Sequence, residues 1–263
     1  MDGTADVFEK FKRRLKQGAS EEQKAGLKRW LTGPLAFIYR NNLKRLAQIY
    51  CSDKWSHHWY CQHYERHFAP LRKKAIVLLE IGIGGYANPK SGGASLRMWR
   101  TWFPRGRIYG IDLEDKSPHN EGRIRTFRGD QSDEKFLASV IAEIGTPDII
   151  IDDGSHLNDH VIKTFKLLFP LLADQGIYAV EDTQTAYWPE WGGNSEDLNC
   201  PATSMNLLKS LADGLNHVEF IRPGYVPSYF DKHIVSLHFY HNLVVICKGL
   251  NNEASEMIKN NAV

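Results

Sequence analysis

The feature that most constrains this chain is a set of short apolar runs, each stopping at a glycine or an acidic residue. The run AIVLLEIG (75–82) is apolar except for Glu80 and stops at Gly82. A strand buried on both faces reads this way, because helices cover both sides of a parallel sheet. RIYGIDL, RIRTFRGD, DIIIDDG and GIYAVED repeat the signal further along. Between them, ASLRMWRTWF, DEKFLASVIAEIG and DHVIKTFKLLFPLL place apolar residues at helical spacing. Strands alternating with helices give βαβ units, and hence a mostly parallel sheet with helices on both faces. HIVSLHFY and NLVVICKG, joined tightly at His241-Asn242, read as a final antiparallel hairpin. The expected fold is α/β and Rossmann-like.

Residues 1 to about 45 read differently. Val7, Phe8, Phe11 and Leu15 recur at helical spacing, and a second helix is expected after Ser20, with Glu21 and Glu22 in its first turn. Gly33-Pro34 is expected to break it, and a further helix to run from about Leu35 to Tyr50. The division expected is an N-terminal helical segment (1–45), serving as a lid or oligomer contact, and one larger domain (46–263).

Composition excludes several classes. A net charge of +2 over 263 residues leaves no basic field for nucleic acid. The cluster Lys10, Lys12, Arg13, Arg14 and Lys16 reads as a solvated helix face. Cys51, Cys61, Cys200 and Cys247 show no CxxC pair and no Cys/His zinc spacing, which fits reduced thiols in a cytoplasmic protein. The start, MDGTADVFEKFKRR, has no apolar signal-peptide region, and no run approaches the roughly 18–20 residues that span a bilayer.

Glu80-Ile-Gly82-Ile-Gly84-Gly85 follows the first strand, where glycines let a ligand approach the backbone. Ligands of open α/β sheets bind at the strands' carboxyl ends. Asp112, ending the next strand, suits ribose hydroxyls. Asp130 and Gln131 follow the third, where a carboxylate and an amide can meet an adenine edge. A dinucleotide explains Asp112 equally well. It does not explain the acidic residues at the neighbouring strand ends. DIIIDDGSH ends in Asp152, Asp153 and His156, and GIYAVED ends in Glu181 and Asp182. Carboxylates converging at one sheet edge repel unless protonated or neutralised, and oxygen-rich sets suit Mg²⁺, Mn²⁺ or Ca²⁺. His156 beside such a metal is the natural general base. The chemistry expected is methylation of a hydroxyl from S-adenosylmethionine (SAM), with a divalent metal polarising the acceptor oxygen.

SDKWSHHWYCQHYERHF (52–68), the stretch 80–113, GDQSD (129–133), DDGSH (152–156) and VEDTQTAYWPEWGG (180–193) carry a more specific signal. Through them the chain, from about Leu46 to Gly249, resembles the metal-dependent macrolide-sugar O-methyltransferases of the mycinamicin and demethylmacrocin group, which are class I SAM-dependent enzymes. The resemblance implies a seven-stranded sheet and homo-oligomers. It implies Asp153, Glu181 and Asp182 as metal ligands for Mg²⁺ or Mn²⁺, and His156 as base. It implies Glu80 to Gly85, Ser95, Asp112, Asp130 and Gln131 around SAM, with Asp153 at the edge of that site. The acceptor implied is a sugar-bearing natural product or a saccharide, as in antibiotic or polysaccharide modification.

His57 and His58, with Tyr187, Trp188 and Trp191, are candidate acceptor contacts, though aromatic packing explains them equally. IRPGYVPSYF (221–230) is a candidate acceptor rim. Competing functions are a catechol-type phenol methyltransferase, an NAD-linked oxidoreductase and a SAM-binding assembly partner without activity. The acidic trio speaks against the oxidoreductase, and His156 in place of a lysine favours an aliphatic hydroxyl over a phenol.

Overall fold

A computed structural model describes residues 32–255. Seven strands form one sheet: β1 (Val77–Ile81), β2 (Arg107–Asp112), β3 (Ile124–Arg128), β4 (Ile149–Asp152), β5 (Ile177–Glu181), β6 (Ile234–Tyr240) and β7 (Leu243–Lys248). Their spatial order is β3-β2-β1-β4-β5-β7-β6. β1 to β5 run parallel, while β7 is antiparallel to β5 and β6 antiparallel to β7. The apolar runs and the final hairpin therefore fall where the sequence places them. Asn242 closes the β6–β7 turn at φ 60°, a left-handed conformation that asparagine tolerates better than most residues.

The helices are α1 (32–38), α2 (Leu43–Tyr50), α3 (Cys61–Phe68), α4 (Ala94–Trp102), α5 (Glu134–Ile144), α6 (Asn158–Leu168), α7 (Ser204–Gly214) and α8 (Tyr229–His233). Alternation along each strand divides the core in two. Leu78, Ile108, Ile149 and Val245 face α1 to α4, whereas Leu79, Ile111, Ile150 and Val244 face α5, α6 and α7. The α5 sequence explains its own ends. Asp133 accepts from the Lys135 and Phe136 amides, and Gly145 at φ 82° closes the helix.

The N-terminal reading changes in detail. The expected helix from Leu35 to Tyr50 is two helices, because Asn42 caps α2 by accepting from the Arg45 amide at 3.0 Å. Pro34 sits inside α1 rather than at a break. Ala36, Leu43, Leu46 and Ala47 are buried in the core under the sheet, and α2 spans the 45/46 division. The helices expected around Val7 to Leu15 and after Ser20, and the Lys10 to Lys16 cluster, lie outside the described residues. Among the described residues no helix is long and apolar enough to cross a membrane.

Candidate active site

The chain leaves β3 at one edge and re-enters the sheet at β4, beside β1. That reversal opens a crevice beyond the strands' carboxyl ends. A cavity of about 900 Å³ fills it, lined by Gly82, Gly84, Gly85, Ser95, Asp112, Asp130, Gln131, Asp153, His156 and Asp182, with His58 and Arg97. Two glycines are obligatory. Gly82 (φ 78°) lies against the Asp153 carbonyl and Gly85 (φ 84°) against Ser91, so a Cβ at either position would collide with backbone.

Asp112 accepts from the Ile83 and Glu114 amides at 3.2 and 2.9 Å, one on each oxygen, which fixes its carboxylate at the cavity wall. Asp130 accepts from the Ser132 amide at 2.7 Å, which holds its carboxyl below the usual range. Gln131 departs from expectation. Its amide nitrogen donates to Asp152 and Thr164, both at 3.1 Å, and its oxygen accepts from the Ser155 amide at 2.6 Å. Its side chain is thus spent on shaping the DDGSH loop. Glu80 is fully buried and does not line the cavity; its nearest charge is the Lys54 ammonium at 3.1 Å.

The carboxylates at the ends of β4 and β5 do converge, around a cation the sequence reading did not name. Lys54 is 1% exposed, and its Nζ lies 2.9 Å from Asp153 Oδ2 and 2.7 Å from Glu181 Oε1. Tyr64 donates to the same Glu181 oxygen at 2.5 Å. Tyr60 donates to Asp182 Oδ1 at 2.6 Å, with His58 Nδ1 3.5 Å from that atom. Protein donors thus hold one oxygen of each carboxylate. The other oxygens of Asp153 and Asp182 face His156, whose Nε2 lies 4.0 Å from Asp153 Oδ1 and 3.8 Å from Asp182 Oδ2. Donor atoms of Asp153, His156 and Asp182 all lie within 4.8 Å of one another. His156 and Asp182 sit at φ 57° and 51°, strained for residues bearing a Cβ, and such strain gathers at functional sites.

Electrostatics point the same way. Burial raises the Asp153 carboxyl, and burial with the Asp153 charge raises Glu181 well above its usual value; Lys54 opposes both shifts. Lys54 itself is held well above its usual range, because the charges of Asp153, Glu181 and Glu80 outweigh its burial. Glu80, Asp153 and Glu181 thus share one ammonium, and the cluster either keeps a proton on a carboxyl or takes up further positive charge. The free oxygens of Asp153 and Asp182 are hard donors, and donor atoms of both lie within 4.8 Å of each other and of His156, so these residues fit Mg²⁺ or Mn²⁺; Glu181 is not in that set.

The aromatic candidates divide. The Trp191 ring centroid lies 6.0 Å from that of His156, although Trp191 is not among the lining residues. Tyr187 and the 43%-exposed Trp188 belong to the same short loop but are not among the lining residues. His58 lines the cavity; His57 is exposed and does not. The 221–230 stretch lies elsewhere. Ile221, Arg222 and Tyr225 line a shallow hollow by α7 and α8, and none of the stretch lines the main cavity.

Known proteins resemble this chain in sequence and fold. The chain is 48% identical over 214 residues to mycinamicin VI 2''-O-methyltransferase of Micromonospora griseorubida, covering 81% of this chain and 54% of that protein. It is 50% identical, with the same coverage, to demethylmacrocin O-methyltransferase of Streptomyces fradiae. It superposes at a TM-score of 0.79 and 46% identity on the MycE methyltransferase of the mycinamycin pathway in complex with Mg, SAH and mycinamycin VI. That match covers 83% of this chain and 57% of the other. The chain therefore spans about half the length of the relatives it matches. No protein-family model matches it.

Proposed function

Because the chain is a homologue of the macrolide-sugar O-methyltransferases over 81% of its length and shares their class I methyltransferase fold, we propose that it methylates a hydroxyl of a glycosylated natural product or saccharide, using SAM and Mg²⁺. The observation that carries this reading is the division of labour on the carboxylates. Lys54, Tyr60 and Tyr64 hold one oxygen of each, and Asp153 and Asp182 turn the other toward His156.

When bound, SAM supplies an electrophilic methyl on a sulfonium, and Mg²⁺ supplies Lewis acidity at the acceptor oxygen. The chain's own residues do the rest. Gly82 and Gly85 line the cavity that would take the cofactor, and Asp112 would have lone pairs left for ribose hydroxyls, since a carboxylate can accept about four hydrogen bonds. Asp153, Glu181 and Asp182 would hold the cation. His156 Nε2, beyond hydrogen-bond reach of either neighbouring carboxylate, is open to take the acceptor's proton. Trp191, its ring centroid 6.0 Å from that of the base, would offer an apolar face to a sugar ring.

Of the segment before residue 46, the described part packs into the core through Ala36 and Leu43, and in this proposal the working protein is a homo-oligomer. The test is SAH binding with and without Mg²⁺, followed by turnover on a panel of glycosides and catechols. Mg²⁺-dependent methylation of glycosides supports the reading. Turnover on catechols alone, or SAH binding without turnover on any acceptor, overturns it.

A further inference from the structure

A second cluster of ligating side chains lies away from the cavity, where α3 crosses the antiparallel end of the sheet. His63 and His67 stand one turn apart on α3, and both reach Tyr240 of β6. The His63 ring stacks on it at 3.7 Å, and His67 Nε2 lies 2.9 Å from its hydroxyl. In the β6–β7 ladder Ser236 pairs with Cys247 and His238 with Val245, so His238 and Cys247 are diagonal neighbours on one face. That face packs against α3, which brings His67 within 4.5 Å of the His238 ring, centroid to centroid. One donor atom each from His67, His238 and Cys247 lies within 4.8 Å of the other two.

We propose that His67, His238 and Cys247 form a binding site for a borderline-soft divalent cation, with Zn²⁺ its preferred occupant. Two imidazoles and a thiolate suit zinc and its neighbours, not the Mg²⁺ that the oxygen-rich carboxylates select. Zinc bond lengths of about 2.0–2.3 Å put tetrahedral donors roughly 3.3–3.6 Å apart, so small side-chain rotations close the site. Each imidazole already has a hydroxyl partner, Tyr240 for His67 and Ser236 for His238 at 3.2 Å. Such partners orient a ligating ring. On binding, the cation displaces the Cys247 proton to solvent, and the thiolate offsets part of its charge. The fourth position is left to water.

The site would act as a clip. α3 follows Tyr60 and carries Tyr64, which donate to Asp182 and Glu181, and Tyr60 also lies 3.0 Å from the Asn242 carbonyl in the β6–β7 turn. An ion tying His67 to His238 and Cys247 fastens the helix behind the catalytic carboxylates to the edge of the sheet.

The test uses the full chain, stripped with EDTA and returned to excess Mg²⁺, with Co²⁺ as the probe. One equivalent of Co²⁺ should bind at micromolar concentration, with a near-ultraviolet thiolate charge-transfer band and visible bands of tetrahedral intensity. Zn²⁺ should abolish both. Cys247→Ser should remove the charge-transfer band, and His238→Gln should weaken binding at least about tenfold. His156→Ala should leave the spectrum unchanged, which separates this site from the catalytic one. If Cys247→Ser fails to fold, alkylation of Cys247 in the wild type replaces it, and Zn²⁺ should slow that reaction. No thiolate band up to millimolar Co²⁺, a band that survives Cys247→Ser, or alkylation indifferent to Zn²⁺ would each overturn the assignment.

Discussion

Lys54→Met replaces the buried ammonium by an apolar side chain of similar length. In the wild type the ammonium lies 2.7, 2.9 and 3.1 Å from oxygens of Glu181, Asp153 and Glu80. At an effective dielectric of about 20, each pair is worth about 5–6 kcal/mol of Coulomb attraction. Most of that offsets the cost of taking four charges out of water. Removing one partner of a buried pair leaves uncompensated charge, and the measured cost of that class of change is about 3–5 kcal/mol. Urea unfolding in EDTA should show a loss of that size. In saturating Mg²⁺ the deficit should shrink by at least about 1 kcal/mol, because a cation bound to Asp153 and Glu181 neutralises charge that Lys54 no longer meets. A variant within about 1 kcal/mol of wild type in EDTA would show that the ammonium is not what keeps these carboxylates together. A deficit unaffected by Mg²⁺ would refute the idea that lysine and cation share them.

His156→Ala should leave SAH affinity nearly unchanged by calorimetry while turnover falls by about 10²-fold or more; unchanged turnover removes the imidazole from the proton transfer. Asp182→Ala should abolish Mg²⁺ stimulation, and EDTA should suppress the wild-type rate; a wild-type rate indifferent to EDTA ends the metal hypothesis. Burial pushes the Asp152 carboxyl up to about 7 from its usual value near 4. A carboxyl raised in the folded state stabilises the fold below its unfolded pKa, and that contribution is lost as pH rises through the folded value. Asp152→Asn keeps the oxygen that accepts from Gln131 but carries no charge, so it should gain on the wild type by a few kcal/mol between about pH 4 and about pH 8. A stability difference that stays flat across that range would mean the group titrates normally.

The fold was legible because each parallel strand is apolar on both faces and stops at a turn-forming or acidic residue. AIVLLEIG and DIIIDDG admit little else. What escaped was decided by side-chain caps and by packing. Nothing in the apolar spacing from Leu35 to Tyr50 announces that Asn42 starts a new helix; only its bond to the Arg45 amide does. The helix Ser204–Gly214 was not foreseen either, although Thr203 stands in front of it as a cap.

The site divides along the same line. Asp153, His156 and Asp182 could be read because each ends a strand or follows one closely, and the topology of a parallel sheet delivers strand ends to one edge. Lys54, Tyr60 and Tyr64 could not, since they come from a segment before the first strand whose position over that edge is a tertiary fact. One trace of them was present. Three carboxylates drawn together at buried strand ends are untenable alone, so the sequence already called for positive charge and hydroxyl donors from elsewhere. A bound cation satisfies only part of that demand. A metal site read from clustered acids should therefore be searched at once for a buried lysine, and here the aromatic, histidine-rich SDKWSHHWY segment was the place to look.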